Sequence, residues 1–202
     1  MNRIAMFSLC LAVMLAGISL VSAQAVAAGP ERLSLPKPDT TGGKPLMQAL
    51  AERKTTRTFS GQPVSEQELS NLLWAVWGVN RPAQGLRTAP TARNSQAVAV
   101  YVALENGVWL YEAKEHALVR VLNRDARSRF GTAPLVLLYA APKDDKFAPM
   151  HVGSLYQNAG LYAASAGLAS VVKGTGVDVL DRELPLPQGY IMYIVQPVGW
   201  PR

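Results

Sequence analysis

Residues 98–111 read Val-Ala-Val-Tyr-Val-Ala-Leu-Glu-Asn-Gly-Val-Trp-Leu-Tyr, and this stretch decides the class of fold. The run Val98 to Leu104 has the character of a buried strand. Asn106 and Gly107 form a turn pair that tolerates positive φ, and Val108 to Tyr111 supplies the returning strand. The natural reading is a β-hairpin, which a regular doubly wound sheet does not provide. No G-x-G-x-x-G follows a strand, so a dinucleotide-binding Rossmann domain is unsupported.

On the N-terminal side, Ser65 and Glu68 have capping-box spacing, and Leu69, Leu72, Leu73 and Val76 repeat at helical period up to Gly78. A shorter helix starts at Pro45, where a missing N–H is tolerated, and takes in Leu46, Met47, Ala49 and Leu50. Arg81 to Asn94 read as a loop. On the C-terminal side, Pro134 opens a strand over Leu135 to Ala141. A long apolar helix follows from about His151 to Ala166, with Val152, Leu155, Tyr156, Ala159, Ala163 and Ala166 on one face. A strand at Ala169 to Val172, a short polar helix near Asp178 to Leu184 and a strand from Tyr190 to Val195 complete the order. Hairpin and non-hairpin connections together predict an α+β fold, a central mixed or antiparallel sheet flanked by helices.

The chain has 202 residues, 49% of them hydrophobic, enough for one domain with its own core. Its start differs in character. Arg3 precedes an apolar run from Ile4 to Val21, followed by Ser22, Ala23, Ala25, Ala27 and Ala28, the order of a secretory signal. A membrane anchor is the rival reading, but Gly17, Ser19 and the alanine-rich exit favour cleavage. The expected organisation is a signal peptide over 1–28, an extended Pro- and Gly-rich leader over 29–44 and one domain over 45–202. Export to the periplasm or the medium follows, with no stable membrane insertion after cleavage. Cys10, the sole cysteine, lies inside the apolar run, so no disulfide framework or thiol nucleophile is expected. The formal charge of +6 is spread without a Lys/Arg stripe, and nucleic acid is not an expected partner.

Two constellations carry candidate chemistry. Arg53, Lys54, Thr55 and Arg57 place three cations and a hydroxyl beside the first helix, donors suited to a phosphate. The same pattern also fits a solvated helix end that complements the macrodipole. The loop Arg87-Thr88-Ala89-Pro90-Thr91-Ala92-Arg93-Asn94-Ser95-Gln96 has small residues that can lie flat against a ring, with Asn94 and Gln96 able to pair with a heterocycle. An ordinary polar turn is the competing reading. His116 and His151 lack metal-ligand spacing and read as structural or surface residues. Asp144 and Asp145 read as solvated, Trp74 and Trp77 as core or interface. No metal site and no side-chain nucleophile is expected.

Taken together, Arg53-Lys54-Thr55-Thr56-Arg57-Thr58-Phe59, Pro63-Val64, Leu72-Leu73-Trp74-Ala75 and Gly78-Val79-Asn80-Arg81 resemble the opening of nitroreductase-family proteins, including the SagB-type dehydrogenase branch. Later segments agree in order: Arg87 to Asn94, Tyr101-Val102, Gly107 to Tyr111, Gly153 with Tyr156-Gln157-Asn158, Gly167-Leu168 and Val198-Gly199-Trp200-Pro201. The match covers Pro45 to Arg202.

The resemblance implies a nitroreductase-like dimeric fold with FMN bound between two subunits of a homodimer. Arg53, Thr55 and Arg57, with Lys54 beside them, match phosphate-binding positions. Pro90, Thr91, Ala92 and Asn94 match the loop over the flavin ring, and Lys173 and Gly174 match the segment passing its reactive N5 edge. Glycine there permits close backbone approach. The implied activity is an FMN-dependent oxidoreductase acting on an electron-poor small molecule such as a nitroaromatic or quinone, with NAD(P)H as donor. A SagB-like dehydrogenase and a non-catalytic flavin-binding protein are the alternatives.

Overall fold

In the computed structural model, which describes residues 30–202, the chain begins with β1 (Arg32–Ser34) and α1 (Leu46–Glu52), then α2 (Glu66–Trp77). Two short strands, β2 (Val79–Arg81) and β3 (Leu86–Arg87), lead to β4 (Ala99–Leu104), β5 (Gly107–Glu112), β6 (Ala117–Leu122) and β7 (Leu135–Pro142). The last part holds α3 (Ala148–Ala166), β8 (Ala169–Ser170), α4 (Leu180–Glu183) and β9 (Tyr190–Gly199). The expected signal segment and Cys10 lie outside the described residues. Among those residues no helix is long and apolar enough to cross a membrane.

Local chemistry accounts for the boundaries. The Ser65 hydroxyl accepts from the Glu68 N–H, and Glu68 accepts from the Ser65 N–H at 2.8 Å, so the predicted capping box forms. Pro45, the expected first helical residue, is instead the cap of α1, which starts one position later at Leu46. Gly167 ends α3 at φ 76°, with Leu168 N–H donating to the Ala163 carbonyl at 2.7 Å and Gly167 N–H to that of Ala164, a Schellman arrangement.

Seven strands form one sheet in the order β1-β6-β5-β4-β7-β9-β8, and every adjacent pair is antiparallel. The hairpin of β4 and β5 has the predicted strands, but its turn residues are Glu105 and Asn106. Gly107 already pairs with Leu104, at φ 140°, and a Cβ there would strike the Leu122 carbonyl of β6. β6, which pairs with both β5 and β1, has no counterpart among the expected elements. Within the expected loop from Arg81 to Asn94, Leu86–Arg87 form β3 and pair with β2. β8 is shorter than expected and β9 runs on to Gly199. The segment read as a leader is extended, yet it is tied to the domain: Arg32–Ser34 pair with Ala117–Val119, and Leu35 enters the core.

The core has two large clusters, one on each face of the sheet, and a small third one of Phe59, Ala133, Ala169 and Val171. On one face Leu135, Leu137, Tyr139 and Ala141 pack with Leu155, Ala159 and Ala163 of α3 and with Leu72, Leu73 and Val76 of α2. On the other, Val136, Leu138 and Ala140 meet Phe130, Val177, Leu180 and Leu184.

His116, at φ 48°, ties the leader to this core. Ser70 Oγ donates to the Pro36 carbonyl at 2.5 Å and lies 2.7 Å from His116 Nε2, while the Tyr111 hydroxyl lies 2.9 Å from Nδ1. A neutral ring with its proton on Nε2 satisfies all three groups. Burial holds this imidazole below the ordinary value of 6.5, only partly countered by the Pro36 carbonyl.

Two outcomes are expected. Ser65→Ala should cost about 1 kcal/mol in denaturant unfolding by removing the cap. The unfolded chain binds the His116 proton more readily than the folded one, so stability is greatest above pH 6.5 and declines as the pH falls below it. Thermal melts between pH 7.5 and 5 should show that decline, and His116→Asn, which tolerates the left-handed backbone without titrating, should flatten it.

Candidate functional site

The cation cluster lies where the chain leaves α1 and crosses toward β8. Thr56 N–H donates to the Ser170 carbonyl at 3.0 Å, and Thr55 forms an isolated parallel bridge with Ser170. This pins the backbone while Arg53, Lys54, Thr55 and Arg57 stay exposed. Among the described residues none of the three cations has a carboxylate within ion-pair distance. The nearest acid in sequence, Glu52, is taken by Lys44 at 2.6 Å. The stem of Arg53 lies over Gly160 of α3, within 3.6 Å of where a Cβ would stand. A small cavity of about 160 Å³ beside the cluster is lined by Lys54, Thr56, Gly160 and Ser170.

The ring-covering candidates sit on a loop held from two sides. A 3-10 turn spans Ala92–Asn94, and Arg93, Asn94 and Gln96 have φ of 55°, 51° and 49°. Gln96 N–H donates to Thr91 Oγ1 at 3.1 Å, and Arg87 Nε donates to Gln96 Oε1 at 2.8 Å. Arg87 itself lies over the Trp77 ring at 4.8 Å and donates to the Trp77 carbonyl. From the other side, Ala92 N–H donates to His151 Nε2 at 2.8 Å. Pro90 and Asn94 are exposed, Thr91 and Ala92 half-buried. Gln96, read as a partner for a heterocycle, instead spends its amide on Arg87, Gly85 and Asn94 within the loop.

Lys173 and Gly174 follow β8. The Lys173 N–H and carbonyl both pair with Val195, and its ammonium donates to the Phe130 carbonyl. Both Lys173 donors are therefore engaged, whereas Gly174 N–H has no partner among the described residues and is exposed. In this segment the free donor is the glycine.

The structure brings Arg53, Lys54, Thr55 and Arg57 together, and joins Pro90, Thr91, Ala92 and Asn94 in one loop. It keeps the two groups apart within the chain. Arg53 packs on Gly160 and Ala92 on His151, positions about 13 Å apart along α3 at 1.5 Å per residue. A larger cavity, about 900 Å³, lies between Pro63, Leu104, Arg127 and Pro134, and none of the candidate residues lines it. Its size does not make it the site, because the free cations are elsewhere.

Sequence reasoning missed the part played by His151 and Asp145. His151 is 4% exposed. Its Nδ1 lies 3.6 Å from Asp145 Oδ2. No local motif signals this, because the group His151 accepts from is 59 residues away in the chain. Among the described residues no cluster of His, Cys, Asp and Glu could hold a metal.

A model of the nitroreductase family matches residues 50–200. A nitroreductase-type protein of Methanocaldococcus jannaschii is 28% identical, over 76% of this chain and 90% of its own. A nitroreductase-type crystal structure from Ralstonia eutropha is 35% identical and superposes with a TM-score of 0.79 over 88% of this chain and 93% of that one. A nitroreductase with bound FMN from Bacteroides fragilis, at 15% identity, shares the fold, with a TM-score of 0.56 over 79% and 89% of the two chains.

Proposed function

We propose that this chain, which belongs to the nitroreductase family, binds FMN and acts as an oxidoreductase. It would pass hydride or electrons to an electron-poor small molecule, a nitroaromatic or a quinone-like acceptor. The observation that carries this reading is the cluster of Arg53, Lys54 and Arg57. These are three exposed cations on a pinned backbone, with no carboxylate partner among the described residues and the neighbouring acid neutralised by Lys44. Such a cluster fits a dianionic phosphate, with Arg53 and Arg57 as forked donors and the Thr55 hydroxyl beside them.

Bound FMN would supply reversible two-electron transfer, while the protein supplies binding, orientation and electrostatics. The pre-shaped loop of Pro90, Thr91, Ala92 and Asn94 would cover the ring, and the free Gly174 N–H would stabilise charge at its reduced edge. No protein side chain need be catalytic in this scheme. NAD(P)H is the proposed donor.

A homodimer is part of the proposal. On one protomer the phosphate cluster and the ring loop stand at different levels of α3. Leu46 of α1, 63% exposed, borders a groove formed with Trp74, Leu161 and Tyr162, and Met47 beside it in the chain is 75% exposed. Export directed by residues 1–28 completes the reading.

Anaerobic absorption spectroscopy tests it. Added FMN should give a protein-bound flavin spectrum that bleaches with NADH or NADPH and returns on adding a nitroaromatic or quinone. Bands that resist both donors would replace the nicotinamide assignment with a dehydrogenase or storage role. Arg57→Ala should weaken FMN binding about ten- to a hundredfold, the loss of a charged hydrogen bond. Unchanged affinity would remove the phosphate assignment.

A further inference from the structure

His151 presents a hydrogen-bond acceptor to a backbone N–H from inside the core. Because Ala92 N–H donates to Nε2 at 2.8 Å, that nitrogen must carry a lone pair, and the neutral ring's proton belongs on Nδ1. Asp145 Oδ2, at 3.6 Å from Nδ1, is too distant for a good hydrogen bond but favours a proton on that side. Asp145 is itself fixed at the start of α3. Its Oδ1 accepts from Phe147 N–H at 2.9 Å, and its carbonyl accepts from Ala148 N–H at 2.9 Å. The acceptor is therefore aimed by the scaffold and not by the loop it holds.

An imidazolium has no lone pair. Protonating His151 would set two N–H groups against each other at the Ala92 contact, and the loop would have to move. The charged groups around the ring are few. Asp144 and Lys146 from the turn before α3, and Arg93 from the loop, line a cleft of about 480 Å³ with His151 and Asp145. The Phe147 ring lies 6.3 Å away. From β9, Tyr193 donates to the Pro142 carbonyl, and burial together with Asp145 and Asp144 pushes its ionisation up, so it stays neutral.

We propose that His151 is a positioning residue for the ring-covering loop: the neutral imidazole holds Ala92 in place, and protonation releases the loop and weakens FMN binding. The inference rests on the FMN reading above. It adds to it that cofactor retention depends on pH through a residue that does not touch the cofactor.

The test is FMN titration of the wild-type protein, His151→Gln and His151→Leu between pH 8 and 5, with folding of each checked by circular dichroism. The flavin phosphate titrates near pH 6, so the ratio of wild-type to His151→Gln affinity is the quantity read. Glutamine keeps an acceptor that does not titrate. His151→Gln should match wild type at pH 8 and bind about tenfold tighter than wild type at pH 5, whereas His151→Leu should bind about tenfold more weakly at pH 8. A constant ratio across the range, or a His151→Leu variant that binds like wild type at pH 8, overturns the proposal. If His151→Leu fails to fold, the His151→Gln ratio decides alone. If wild type binds no FMN at any pH, the cofactor reading fails, and hydrogen exchange at the Ala92 amide judges His151 by itself. Protection that falls with pH in wild type but not in His151→Gln supports the proposal, and identical profiles sink it.

Discussion

β7 is buried over seven of its eight residues, and the rest of the structure is arranged to satisfy it. A strand of this kind, inside an antiparallel sheet, needs backbone partners on both edges and apolar cover on both faces. β4 and β9 supply the edges. Alternate side chains then divide between the two clusters: Leu137 and Tyr139 face α2 and α3, while Val136 and Leu138 face Phe130, Leu180 and Leu184. The one polar tip on β7, the Tyr139 hydroxyl, donates to Gln196 of β9 at 2.8 Å, and the Gln196 amide reaches the Tyr156 carbonyl of α3 at 3.3 Å. Strand, neighbouring strand and covering helix are thereby locked in register.

The candidate site follows from that arrangement. β7 ends at Pro142, and the turn after it carries Asp145 and launches α3, which places His151 beneath the loop of Ala92. Further along the same helix, Gly160 leaves room for the stem of Arg53. β9, paired to the other edge of β7, takes the Lys173 backbone through Val195. Each candidate segment is irregular chain, yet each is fastened to an element that packs on or pairs with β7. Functional residues on loops that a rigid scaffold positions are the usual division of labour in enzymes.

Much of the fold was legible because its signals are local. The Ser65–Glu68 box, the hairpin of β4 and β5 and the apolar face of α3 depend on neighbours within a few residues. β6 escaped because Arg120 interrupts its apolar run; that side chain lies over the Trp109 ring at 5.5 Å and pairs with Glu31, contacts visible only in three dimensions. β9 was cut short at Val195 because Gln196 and Pro197 read as an ending, although Tyr139 satisfies the glutamine and the proline pairs with Val136. In the site, the run of cations was readable as a run. The contact between His151 and Ala92 was not, since a histidine flanked by Met150 and Val152 carries no mark of a partner far along the chain.

The shape of the loop from Thr91 to Gln96 shows why that contact matters physically. Arg93, Asn94 and Gln96 all lie in the left-handed region, which costs a non-glycine residue about 1–3 kcal/mol, least for asparagine. A single hydrogen bond returns only about 0.5–1.5 kcal/mol, so no one bond can hold this shape. The loop is gripped instead from two independent bodies: Arg87, seated on Trp77 at the end of α2, holds Gln96, and His151, at the start of α3, holds Ala92. Because α2 and α3 pack against each other and on the same face of β7, the distance between the two grips is set by the core. The loop shape is thus a consequence of the buried strand, transmitted through two helices to six residues of exposed or half-buried chain.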